Sequence, residues 1–95
     1  MTYCFELAGN DQRIFIPDGE GYDYLNQEFI DWLQTLFGPV SKATGTWGTG
    51  VDLYGEMWCY VENSTDGLHG RCLSFDRSQD AAIFKLTYSY DYEIC

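Results

Sequence analysis

Three acids and three aromatic residues alternate through residues 51–62, VDLYGEMWCYVE: Asp52, Tyr54, Glu56, Trp58, Tyr60 and Glu62. Carboxylates spaced in this way can exchange protons, hold a cation or meet a cationic partner. General acid–base or nucleophilic catalysis needs a convergent set of groups. The chain offers one histidine, His69, no HExxH or GxSxG pattern and no basic cluster to anchor an anionic substrate. A glycosidase-like carboxylate pair is available by count alone, but a domain this small is a poor host for one. His69 lies in the glycine-rich DGLHG and reads as a solvent-exposed residue without a role. Cys59, His69 and Cys72 lack a paired C-x-x-C and a nearby fourth ligand, so no zinc site is expected. No enzymatic activity, metal or cofactor is expected, and binding is the class that remains.

Period two means a strand, because successive side chains of an extended chain point to opposite faces. Val51, Leu53, Gly55, Met57, Cys59 and Val61 then suit a core, and the acid–aromatic set forms the other face. At a rise of about 3.3 Å per residue, Asp52 and Glu56 stand about 13 Å apart around Tyr54, and Glu56 to Glu62 spans about 20 Å around Trp58 and Tyr60. Negative groups along a ridge, separated by flat rings, outline a nucleic-acid backbone and its bases. A protein that grips nucleic acid with Lys and Arg would meet similar charges here, and the rings would serve as anchors. A tight turn at Gly55-Glu56, splitting the segment into two short strands, is the alternative.

The charge balance points the same way. Five Lys and Arg against fifteen Asp and Glu give a net charge of −10, which repels nucleic acid and anionic lipid and attracts cationic surfaces. The acids are dispersed among aromatic and β-branched residues, so a folded acidic domain is expected, not a disordered tail. Ninety-five residues, 45% hydrophobic and 18% aromatic, suit one domain over 1–95. No apolar run approaches the roughly 20 residues of a membrane span, and MTYCFELAGND lacks the features of a secretion signal. The expected location is the cytoplasm, with Cys4, Cys59, Cys72 and Cys95 reduced and the Asn63-Ser64-Thr65 sequon irrelevant.

The elements that must position these residues follow from periodicity. Tyr3–Leu7 and Arg13–Ile16 flank a turn-rich GNDQ and predict a hairpin. Leu25, Phe29, Trp32, Leu33 and Leu36 recur at helical spacing and predict an amphipathic helix, opened by Asp23 and closed by Gly38-Pro39. The glycine-rich GPVSKATGTWGTG that follows reads as a connecting loop. Its resemblance to a phosphate-binding turn fails for lack of a Gly-Lys-Ser/Thr ending and a following helix. Arg71–Phe75 predicts another strand. Ser78 can cap a short helical turn over 79–84, and Leu86, Tyr88, Tyr90, Tyr92 and Ile94 then alternate as a last strand. The expected fold is α+β: an antiparallel sheet of about five strands, one amphipathic helix packed on one face, and a short second helical turn.

FDRSQDAAIFKLTY, residues 75–88, resembles a pattern near the end of small bacteriophage-encoded proteins: Phe75, Asp80-Ala81, Phe84-Lys85-Leu86, and Tyr88 where those proteins usually carry Trp. The resemblance implies a viral origin and a small α+β domain, with no catalytic assignment. In charge and size the chain is also similar to the acidic inhibitors that phages use against host defences, including DNA-mimicking anti-restriction and anti-CRISPR proteins. The function expected from these resemblances is non-enzymatic inhibition of a basic host protein or ribonucleoprotein complex, such as a CRISPR effector. The inhibitor would compete with nucleic acid, bind neither nucleic acid nor membrane, and act as a monomer or weak dimer. The alternative is a structural or interaction protein of the phage, with homodimerisation as one option; a small hydrolase or nucleotide-binding domain is a further rival.

Overall fold

A computed structural model of the chain describes residues 1–19, 23–46, 50–62 and 71–94. His69, the Asn63-Ser64-Thr65 sequon, the Trp47–Thr49 part of the glycine-rich segment and Cys95 lie outside the described residues. The fold is α+β. In chain order it runs β1 (Tyr3–Glu6), β2 (Phe15–Pro17), β3 (Asp23–Leu25), α1 (Gln27–Phe37), β4 (Lys42–Thr46), β5 (Gly50–Tyr54), β6 (Trp58–Val61), β7 (Cys72–Phe75), α2 (Ser78–Tyr88) and β8 (Glu93–Ile94). Six strands form one sheet in the order β4-β5-β6-β7-β1-β8, with every neighbouring pair antiparallel, and β2 pairs with β3 separately.

The first expected hairpin does not form. β1 lies between β7 and β8, with Phe5 opposite Leu73 and Cys4 opposite Glu93, while β2 takes β3 as its partner. The expected loop after α1 is also partly a strand. β4 pairs along its length with β5, from Lys42 opposite Tyr54 to Thr46 opposite Gly50. Its KATGT sequence carries little apolar signal because β4 is a sheet edge with exposed residues from Lys42 to Gly45.

Helix α1 starts at Gln27, because Asp23 and Leu25 belong to β3. Asn26 is its N-cap, its side chain accepting a hydrogen bond from the Glu28 amide at 3.0 Å. Phe29, Ile30, Leu33 and Phe37 face inward; Trp32 lies partly buried on the flank and Leu36 is 47% exposed. Gly38 ends the helix at φ 105, a conformation that glycine tolerates, and its N–H donates to the Gln34 carbonyl.

Helix α2 is longer than the expected turn and absorbs the start of the expected last strand. Phe84 and Tyr88, one turn apart, stack at 5.0 Å between centroids, and Leu86 is left 82% exposed. Arg77, not Ser78, is the N-cap position, and it makes no side-chain capping bond. The helix stops at Ser89, which takes the left-handed conformation at φ 62.

Both helices lie on one face of the six-stranded sheet. Phe84 of α2 packs edge-on against Phe5 of β1, and Phe37 of α1 against Phe75 of β7. Phe15 of β2 reaches Tyr60 of β6 at 6.3 Å. One cluster of seventeen buried apolar residues fills the layer between.

Candidate binding surface

The run 51–62 is a hairpin. Strand β5 ends at Tyr54, the chain turns through Gly55, Glu56 and Met57, and β6 begins at Trp58, with the Gly55 amide donating to the Trp58 carbonyl. Leu53 stands opposite Tyr60 and Tyr54 opposite Cys59. An odd-numbered residue is therefore paired with an even-numbered one, and the buried parity reverses across the turn. The continuous acid–aromatic stripe is thus divided, as in the alternative reading.

Trp58 and Tyr60 are core residues, 2% and 0% exposed, and do not form part of an accessible ridge. Trp58 Nε1 donates to the Gly38 carbonyl at 3.0 Å, which satisfies the buried indole and ties the hairpin to the end of α1. A methyl group on Gly55 would collide with this indole, so the turn needs glycine for space. The Tyr60 hydroxyl donates to Glu62 Oε2 at 3.2 Å; burial, then the neighbouring carboxylate, push its pKa far above the ordinary value.

The other four residues reach solvent at different places. Asp52 and Tyr54 lie on the sheet face away from the helices, where Tyr54 donates to Asp52 Oδ2 at 3.5 Å and Asp52 Oδ1 accepts from the Glu62 amide at 3.1 Å. Glu56 is exposed at the hairpin turn. Glu62, beyond the end of β6, is half-buried and 3.9 Å from Arg71. Asp52 and Glu62 are thus brought together, and Glu56 stands apart at the opposite end of the hairpin.

Strand register completes the face that carries Asp52 and Tyr54. One row crosses the sheet as Lys42, Tyr54, Cys59, Ser74, Cys4 and Glu93; the next holds Thr44, Asp52, Val61, Cys72 and Glu6. None of these residues is fully buried. Reading Cys72-Leu73-Ser74-Phe75 as small–large alternation would have placed Cys72 and Ser74 together; their neighbours across the sheet depend on pairings too distant to read.

The thiols take fixed places on this face. Cys4 is disulfide-bonded, a departure from the reduced state expected of all four cysteines, whereas Cys59 and Cys72 are free. Ser74 stands directly opposite both Cys59 and Cys4, so Cys72 is diagonal to each. Diagonal neighbours lie about 7–8 Å apart, too far for a bridge without backbone movement. Burial pushes the pKa of Cys59 and of Cys72 up, which lowers the thiolate fraction of both at neutral pH, while both stay partly accessible. Among the described residues no three His, Cys, Asp or Glu side chains are placed to hold a metal ion, and no helix is long and apolar enough to cross a membrane.

Arg13, Arg71, Arg77 and Lys85 pair with carboxylates of the same chain. Arg13 grips Asp11 through two bonds of 3.0 and 2.8 Å, holding the Asp11 pKa below its ordinary value. Arg71 bonds Asp23 at 3.1 Å and lies over the Phe15 ring, Arg77 holds the buried Asp80 at 2.9 Å, and Lys85 meets Asp91 at 3.4 Å. Lys42 sits 5.8 Å from the centre of the Tyr54 ring. With four of the five Lys and Arg paired in this way, the surplus of carboxylates faces solvent, with Glu28 and Asp31 on α1, Glu56 at the hairpin turn, Asp76 after β7 and Glu93 on β8 all exposed. Comparison with protein-family models, curated proteins and solved structures returned no match.

Proposed function

We propose that the chain is a non-enzymatic acidic inhibitor that docks on a cationic, nucleic-acid-binding surface of a host defence complex, of the kind a CRISPR effector presents, and competes there with nucleic acid. The observation that carries this reading is the pairing of Arg13, Arg71, Arg77 and Lys85 with carboxylates of the same chain, in a protein of net charge −10. A surface of this kind attracts a cationic groove over roughly a Debye length and repels the nucleic acid that would otherwise fill it. The buried Trp58 and Tyr60 take no part in recognition; exposed carboxylates, with Tyr54, carry it. The test is competition: purified effector complexes are titrated with the protein at two salt concentrations, with labelled guide or target nucleic acid as reporter. Displacement that weakens as salt rises supports the proposal. Failure to displace nucleic acid from any cationic complex at low salt overturns it.

The rival reading is a phage interaction protein that dimerises through its own apolar surface. It is favoured by the exposure of Leu86 and Ile83 on α2 and of Leu36 on α1. Sedimentation across a concentration series decides between them. A constitutive dimer lost on Leu86→Glu supports the rival.

A further inference from the structure

We infer that the docking surface is the open face of the six-stranded sheet, and that its occupant is a Lys/Arg-bearing segment of the partner. This inference rests on the acidic-inhibitor reading and adds to it the place of contact. An antiparallel sheet that leaves one face to water ordinarily fills that face with polar and charged residues. Here the middle strands β6 and β7 instead present Cys59, Val61, Cys72 and Ser74, small residues with little or no charge, and none of them is fully buried. Among the described residues the charged groups stand towards the sides: Asp52 on β5, Glu6 on β1 and Glu93 on β8, against the cation Lys42 on β4. A flat, weakly polar centre inside a charged rim is the anatomy of a protein interface, and the short side chains let a partner element approach the sheet closely. The rim decides which partner. A second copy of the chain would set −10 against −10, whereas a cationic segment finds more carboxylates than cations around the centre. Recognition is then local to this face, although acids are spread over the whole surface.

The test uses two variants with the same change in net charge. Thr44→Lys with Glu93→Lys places three positive increments on the open face; Thr35→Lys with Glu28→Lys places three on the exposed side of α1, beyond the core. All four positions are exposed, and near-UV circular dichroism checks that both variants fold. The probe is a labelled Lys/Arg-rich helical peptide, with binding read by fluorescence anisotropy at low salt. The sheet-face variant should bind the peptide about tenfold more weakly than the parent, from lost local contacts, and the α1 variant no more than about threefold more weakly, from long-range charge alone. In the parent protein the bound peptide should also slow alkylation of Cys59 and Cys72 several-fold, a readout that needs no variant. Equal losses in the two variants, or binding that leaves both thiols unprotected, overturns the open face as the docking site and leaves the acidic-inhibitor reading standing. Absence of any salt-sensitive binding by the parent overturns both.

Discussion

Strands β5 and β6 come from one uninterrupted run of alternating residues, yet they bury opposite parities. Odd-numbered Val51 and Leu53 enter the core from β5; even-numbered Trp58 and Tyr60 enter it from β6. The difference arises in the turn, where Gly55 gives the chain room to reverse against the Trp58 indole and sets Leu53 opposite Tyr60. An alternating pattern assigns faces only as far as the next turn, and the period gives no warning of one inside it. Of the two halves of the acid–aromatic set, the rings in β6 build the core, while Asp52 and Tyr54 in β5 belong to a surface.

The comparison breaks most readily at the rings. Trp58→Ala and Tyr60→Ala should each cost about 3–5 kcal/mol and lower the melting temperature by more than about 10 °C. Tyr54→Ala on the neighbouring strand should cost less than about 1 kcal/mol. Thermal unfolding followed by circular dichroism measures all three, and similar losses at Tyr54 and Tyr60 would erase the distinction between the strands.

The turn sharpens it. Gly55→Ala forces a methyl group into the indole and should destabilise by about 1–3 kcal/mol. Because the clash is with one side chain, the cost should shrink when Trp58 is replaced by Leu, and a double-mutant cycle by urea denaturation reads that coupling. A smaller effect is expected from Asp52→Ala, which strips the Glu62 amide of its acceptor and should cost about 1 kcal/mol in the same denaturation assay.

The smallest effect is one of pH. Burial raises the pKa of Cys59 and Cys72 above the ordinary 9.0, so the folded state holds these protons more tightly than the unfolded chain does. The stability linked to them is fully present below the unfolded value and is lost as pH rises through the raised folded value. The urea midpoint should fall as pH is taken upward from about 8, and Cys59→Ser with Cys72→Ser should flatten that fall. Buried Tyr60 contributes with the same sign at still higher pH.

Local periodicity made much of the fold legible. Phe29 and Leu33 announced α1, and Gly38-Pro39 its end. The start lies later than the spacing suggests, because Leu25 fits the helical period while lying on β3, and the cap is Asn26, not Asp23. At the other end, Leu86, Tyr88 and Tyr90 imitate a strand. Tyr88 is placed instead by Phe84 one turn earlier, against Phe29 and Trp32 of α1. What stayed hidden was long-range pairing. Nothing in Tyr3–Glu6 says that it will lie between β7 and β8, and the open face with Cys4, Cys59, Cys72 and Ser74 exists only through those pairings. The exposed acids were legible as charge, but their separation from Trp58 and Tyr60 was not.

The central claim is that residues 51–62 reverse at Gly55–Met57, committing the rings to the core and leaving the acids to the surface. The most direct measurement is a nuclear Overhauser map of the labelled protein. The account predicts cross-strand contacts between Leu53 and Tyr60 and between Tyr54 and Cys59, with the Trp58 and Tyr60 rings in contact with core methyl groups. Sequential extended contacts through Gly55, no cross-strand pairs, and Trp58 and Tyr60 rings without core contacts would contradict it.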